Sequence, residues 1–355
     1  MQKNKSKRKI RFFNPSFLKG VGLLLTYRCN VSCAHCLVQA SPHRKEWMKE
    51  EDVKTWLKEL REYRNGHIEL IAITGGEPFY DFALLQSVSS YAHELGFIVT
   101  VVSNAFWASS EEKALEVLQK LPSIDVLAVS TDQYHLPFIP IEYIRNAVKA
   151  AQQIDLHIEV SLATENKESI EYKKLLEEVY SFISKENVNE AITIPVGRAA
   201  SEIRMDNWDT TSEVLNVPCR MASFPVILPS GKISPCVGPL MTLSEDHALM
   251  LGNLRKESVK DIFDRAEKNI LLQTIRTIGF AGISLLFEKH GYKEKLPQRI
   301  VSGSICDFCY KMISNPQLTE ILQELIPKEK SIEYYATLLR AQYYGEKPSK
   351  IKHLK

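Results

Sequence analysis

The chain has 355 residues, 45% of them hydrophobic and 25% charged, and a formal net charge of +2. That length can bury a large core in one or two domains. So even a charge balance singles out neither nucleic acid nor a membrane as a partner. The longest apolar runs, such as 21–25, fall far short of the ~20 residues that cross a bilayer. The basic start, Met1–Arg11, lacks the apolar core and small-residue cleavage site of a secretory signal, and residues 1–19 are expected to form a solvated basic arm. Seven cysteines in clustered spacings, without export, point to metal binding in a reducing cytoplasm rather than to disulfides.

The first apolar run, 21–25, reads as a buried strand, and the loop leaving it carries Cys29, Cys33 and Cys36 at a C-x3-C-x2-C spacing. Three thiolates on one tight loop suit a metal with soft ligands, and an iron–sulfur cubane is the usual occupant. Three cysteines on a four-iron cluster leave one iron open to a substrate or cofactor. Zinc could use the same thiolates with His35 or His43 as a fourth ligand. Buried thiols without metal are a third reading.

Val53, Trp56, Leu57, Leu60 and Tyr63 then mark one face of a helix over about 50–64. A strand over 68–73 runs into Thr74-Gly75-Gly76-Glu77-Pro78. A helix over 81–95 stops at Gly96, and 98–102 is the next strand. The alternation continues with a helix near 110–120, a strand over 124–129, a helix marked by Ile141, Ile144, Val148 and Ala151, and a strand over 156–162. A long helix carries Tyr172, Leu175, Leu176, Val179 and Phe182, and the strand 191–196 closes the series at Gly197-Arg198. Six β/α units with mostly apolar strands specify an α/β fold with a parallel sheet covered by helices, an open partial (β/α)6 barrel. Functional groups in barrels gather on the loops at the C-terminal strand ends.

The cysteine spacing with His35 in the slot before the third cysteine, followed one β/α unit later by Gly75-Gly76-Glu77, resembles the radical S-adenosylmethionine (SAM) superfamily. The resemblance implies a [4Fe-4S] cluster on Cys29, Cys33 and Cys36 and SAM chelating the open iron. Gly75 and Gly76 would allow close approach to its methionine part, with Glu77 as acceptor for its ammonium. By the same resemblance Asn104 and Ser130 take the ribose and sulfonium side, with Ser161 from the fifth strand. Arg198 meets the SAM carboxylate or an acidic substrate, or is a solvated arginine beside a turn. Asp132 and His135 form an acid/base pair or hold substrate hydroxyls; the other reading is a capped turn before Pro137 and Pro140.

Beyond residue 200 the pattern changes. Apolar stretches around Ser230-Gly231 read as a β-hairpin. Cys219, Gly231 and Cys236, then Leu251-Gly252-Asn253-Leu254 and a helix over 258–269, resemble the SPASM extension of radical SAM proteins. The final Cys306-x2-Cys309 matches its shorter Twitch form with one auxiliary [4Fe-4S] cluster on Cys219, Cys236, Cys306 and Cys309. A zinc ribbon on the same four residues is the alternative. The expected organisation is an arm (1–19), a barrel (20–200), a small Twitch-like auxiliary-cluster domain (201–326), and a C-terminal helix with a basic tail (327–355).

Radical SAM chemistry by resemblance implies modification of a ribosomally made peptide or another natural-product precursor. Oxidation of a small polyol or aminocyclitol is the alternative substrate class. The absence of a leader-binding segment before the barrel counts against the peptide. With all seven cysteines assigned to two clusters, no thiol is left as a hydrogen donor. An electron donor such as flavodoxin or ferredoxin is the expected partner, with no nucleic acid and no membrane. A non-enzymatic iron–sulfur carrier or sensor is the reading of another class, and Glu77 beside an intact triad argues against it.

Overall fold

The computed structural model describes residues 16–244 and 246–346. Most of the expected basic arm and the end of the basic tail lie outside these residues. Six strands, β1 (Gly20–Leu24), β2 (Leu70–Thr74), β3 (Ile98–Ser103), β4 (Val126–Ser130), β5 (His157–Thr164) and β6 (Val188–Ile192), pair in sequence order and all in parallel. The intervening helices are α1 (Glu50–Glu62), α2 (Phe82–Glu94), α3 (Glu111–Gln119), α4 (Ile141–Gln153) and α5 (Ile170–Tyr180). This is the partial (β/α)6 barrel that the alternating pattern predicts.

The local causes are plain. Every residue of β1 is buried, as a central parallel strand covered on both faces requires. In α1 the spaced residues Val53, Trp56, Leu57 and Leu60 are the buried ones, and three acidic residues occupy the first turn, where the helix dipole favours negative charge. Asp81, Ser110 and Ser169 cap α2, α3 and α5 by accepting from Leu84, Lys113 and Tyr172 N–H. Because all six strands point the same way, their C-terminal ends share one edge, and the cysteine loop leaves β1 on that edge.

Four features differ from the sequence reading. The sixth strand lies at 188–192 rather than 191–196. As the last strand of the sheet it has one neighbour and needs no apolar run, and its middle residues are exposed. Ile194 and Val196 pack instead in a separate cluster with Ala199 of a short helix α6 (Ala199–Glu202), Trp208 and Val301. The hairpin does form, as β8 (Val226–Ile227) and β9 (Lys232–Ser234), but it is not a sheet of its own. β8 pairs in parallel with β1, and β10 (Gly252–Asn253) adds to β9, giving a nine-stranded sheet ordered β10-β9-β8-β1-β2-β3-β4-β5-β6. Strands β7 (Thr210–Thr211) and β11 (Ile300–Val301) form a second small sheet. At the inner end of the supposed arm, Phe17 and Leu18 are buried, because the start of β1 is a core position.

The C-terminal third is helical: α7 (Val259–Lys268), α8 (Ile270–Thr277), α9 (Gly279–Lys289), α10 (Ile305–Ile313), α11 (Pro316–Lys328) and α12 (Lys330–Tyr343). Where the sequence places one C-terminal helix from 327, α12 is joined by α11. No single helix among the described residues is long and apolar enough to cross a membrane.

Candidate active site

Cys29, Cys33 and Cys36 occupy a loop whose backbone is held from three directions. Cys29 N–H donates to Ser41 O at 3.1 Å, and Cys36 N–H donates to Cys33 O at 3.1 Å. The Arg198 guanidinium donates to Cys33 O at 2.8 Å and to Ala40 O at 2.6 Å, while its own N–H donates to Cys36 O at 3.1 Å. In this structure Arg198 braces the loop. Its donors close carbonyls that a tight buried loop leaves unpaired, a charge-assisted arrangement, and its side chain is only 12% exposed. Gly197 makes this clamp possible. It has φ +67°, and a Cβ there would lie 2.2 Å from Leu37 O.

The glycine pair is likewise explained by the chain's own backbone. Gly76 N–H donates to Thr26 O at 2.7 Å and Glu77 N–H to Arg28 O at 3.0 Å, continuing the β1–β2 pairing up to the first cysteine. A Cβ on Gly76 would come 2.2 Å from Arg28 O. The close approach expected toward SAM is, in this structure, an approach to the strand that carries Cys29. Gly76→Ala should therefore cost about 1–3 kcal/mol or more through overpacking against backbone, read as a lower denaturation midpoint; an unchanged midpoint would contradict the contact.

Glu77 is fully buried. Its Oε1 accepts from Phe79 N–H (3.1 Å) and Ser103 Oγ–H (2.9 Å), and Oε2 accepts from Asn104 N–H (2.7 Å). Burial raises its pKa to about 7 despite these donors. The carboxylate thus ties the ends of β2 and β3 together, and its reach toward an ammonium is limited to what Oε2 has left.

The ends of β4 and β5 form the other side. Ser130 and Ser161 are register partners, both half-buried. Asp132 is buried, and its Oδ1 accepts from Tyr134 N–H (3.0 Å), His135 N–H (3.1 Å) and His135 Nδ1 (2.8 Å), while Oδ2 lies 3.6 Å from His35 Nε2. The carboxylate therefore bridges two imidazoles. Burial works against the charged forms, yet the pair's mutual attraction holds Asp132 low and His135 high. Burial lowers His35 to about 4, leaving it neutral, and its Nδ1 has no hydrogen-bond partner. The acid/base reading of Asp132 and His135 meets a carboxylate already filled by donors of its own turn, so the capped-turn reading describes Asp132 well.

Two residues that the sequence reading missed complete this side. Tyr134 stacks on His35 with ring centroids 4.5 Å apart, and its hydroxyl donates to Glu165, which also accepts from Gln133 Nε2 at 2.6 Å. Position alone, one residue after Gln133 and just past β5, was the available signal.

The other four cysteines meet at a second place. Cys219, Cys236, Cys306 and Cys309 line one mostly apolar cavity with Leu240, Leu272 and Ile275. Cys306 and Cys309 stand three apart on α10, so they share a helix face. Burial raises all four thiols, Cys306 to about 12, and proximity to one another adds to the rise in Cys236, Cys306 and Cys309. A four-thiol set in an apolar cavity, with no disulfide among the described residues, fits a fully ligated metal group. The first set fits one with an open position. Its three thiols interact with one another, and Cys29 is pushed up to about 12 by burial.

Residues 23–171, the segment that carries the first cysteines, match the family described as the radical SAM superfamily. Over 311 residues the chain is 26% identical to YydG of Bacillus subtilis (strain 168), provisionally named a peptide biosynthesis protein, covering 84% of this chain and 93% of the relative. Among solved structures, anSMEcpe with bound AdoMet aligns at a TM-score of 0.48 and 14% identity, over 69% of this chain and 80% of that one. BtrN in complex with AdoMet and 2-DOIA aligns at 0.42 and 15%, over 74% and 88%.

Proposed function

We propose that this protein is a radical SAM enzyme that modifies a ribosomally made peptide, with a second iron–sulfur cluster serving the reaction. The observation that carries the chemistry is the set of three thiols on the loop after β1, two buried and Cys36 half-buried, braced by Gly75-Gly76 and Arg198, inside the segment that matches the superfamily. Cys29, Cys33 and Cys36 would hold a [4Fe-4S] cluster, whose chemistry when reduced would be to supply the electron that cleaves SAM to methionine and a hydrogen-abstracting 5′-deoxyadenosyl radical. The chain's own contribution is to hold Cys29, Cys33 and Cys36 on a loop braced by backbone and Arg198 hydrogen bonds. Flavodoxin or ferredoxin is the kind of electron donor required. The peptide assignment rests on the relationship to YydG, which spans most of both chains.

At the second cavity Cys219, Cys236, Cys306 and Cys309 would ligate a cluster completely, which suits an electron acceptor rather than a SAM site. Zinc is the competing occupant. Reconstituted anaerobically, the protein should hold about eight irons per chain. Cys306→Ala/Cys309→Ala should hold about four, keep forming 5′-deoxyadenosine, and lose product. A folded double variant with full product yield would overturn the role of the second cluster. The decisive assay for the substrate class incubates protein, SAM and dithionite with a peptide encoded by a short reading frame beside the gene and follows its mass. A peptide left unchanged, while a polyol or aminocyclitol is oxidised, would replace the peptide reading.

A further inference from the structure

Sequence resemblance places Asn104 on the ribose of SAM, but its carboxamide nitrogen faces sulfur. Asn104, at the end of β3, is 5% exposed. Its Oδ1 accepts from Phe106 N–H at 3.1 Å, which fixes the orientation of the carboxamide. Nδ2 consequently faces the cysteine loop, where it donates to Asn30 Oδ1 at 2.9 Å and lies 3.8 Å from Cys29 Sγ. The two N–H groups of that nitrogen match these two acceptors.

His135 is oriented in the same manner. Its Nδ1 is taken by Asp132 Oδ1 at 2.8 Å, and that carboxylate is itself fixed by the N–H groups of Tyr134 and His135. The third thiol has a backbone donor, since Ala40 N–H lies 3.3 Å from Cys36 Sγ. Cys29 and Cys36 therefore each have a donor, supplied by the end of β3 and by the loop.

Hydrogen bonds to ligating sulfurs draw electron density from them and favour the reduced cluster, one of the levers by which proteins set iron–sulfur potentials. Resting on the reading of the triad as a cluster site, we propose that Asn104 is a positioning residue that raises the reduction potential of that cluster by hydrogen-bonding to Cys29.

The test uses the full chain, reconstituted anaerobically, and an EPR-monitored redox titration without SAM. The signal of the first cluster is identified by its loss in Cys33→Ala protein. Asn104→Ala should move the midpoint potential of that signal to more negative values. SAM affinity of Asn104→Ala, measured by equilibrium binding, should stay within about twofold of the parent. An unchanged potential with weakened SAM binding would return Asn104 to the ribose. Should the variant not load iron, the parent protein labelled with 15N-asparagine keeps the idea testable. Pulsed EPR should then show weak 15N coupling to the cluster, and its absence overturns the proposal. If the triad holds no cluster, the signal itself is missing from the parent, which is a different result.

Discussion

Cys33→Ala is expected to abolish SAM cleavage and to reduce iron from about eight to about four per chain. The substitution is clean because the loop does not depend on the thiol. Cys33 O still accepts from Cys36 N–H and from the Arg198 guanidinium, and Arg198 still holds Ala40 O. What disappears is one of three ligands, and two thiolates do not retain a cubane that has no other protein ligand. The 5′-deoxyadenosine formed with dithionite should fall below detection, while circular dichroism and the remaining iron stay as in the parent lacking only the first cluster. Cys29→Ala and Cys36→Ala should behave alike. Stoichiometric zinc and negligible iron in parent protein purified without oxygen would remove the basis of the reading.

The largest expected effect on stability is at the other end of the chain. Arg276 on α8 is fully buried. It donates to Ser223 Oγ at 3.1 Å, to Gln273 Oε1 at 2.9 Å and to Glu346 Oε1 at 2.6 Å, and its guanidinium lies between the rings of Phe17 and Tyr344, 5.0 and 4.5 Å from their centroids. Glu346 also accepts from Phe17 N–H at 2.8 Å and from Arg340 Nε at 2.6 Å. Three residues past α12 thus latch the entry to β1 and the helix that borders the four-cysteine cavity, where Cys219 N–H donates to Ile275 O at 3.1 Å. Glu346→Ala leaves a buried guanidinium without its anion, a change that costs about 3–5 kcal/mol. Replacing both partners with apolar residues should cost less, because no charge is stranded.

The same latch predicts a pH dependence. Burial works to raise the Glu346 pKa, but Arg276 and Arg340 hold it below the ordinary value of 4.5. A depressed carboxylate contributes stability that is fully present above its unfolded value and is lost as pH falls through the folded one. The parent's denaturation midpoint should therefore fall more steeply below pH 4.5 than that of Glu346→Ala. Parallel curves would show that the pair contributes nothing.

Much of the core was legible because its signals are local. The period of Val53, Trp56, Leu57 and Leu60, the apolar run of β1 and the cysteine spacings each lie within a few residues of one another. The misplaced sixth strand shows the limit of that logic. An apolar run at 191–196 is a sound strand signal, yet an edge strand needs no such run, and the apolar residues served a different cluster with Trp208 and Val301.

The sequence by itself determined the six β/α units, the loop with three thiols, the Gly75-Gly76-Glu77 turn after β2, and the four later cysteines. Only the tertiary structure decided what those groups face. It set Arg198 on the carbonyl of Cys33, 165 positions away, turned Glu77 inward onto Ser103 and Asn104, stacked Tyr134 on His35, laid β8 beside β1, and brought Glu346 to Phe17 across 329 positions. The physical reason is the same in each case. A buried loop carbonyl, carboxylate or guanidinium must find a partner once water is excluded, and the partner is whichever group the packing of distant elements delivers, a choice that leaves no period or spacing in the sequence.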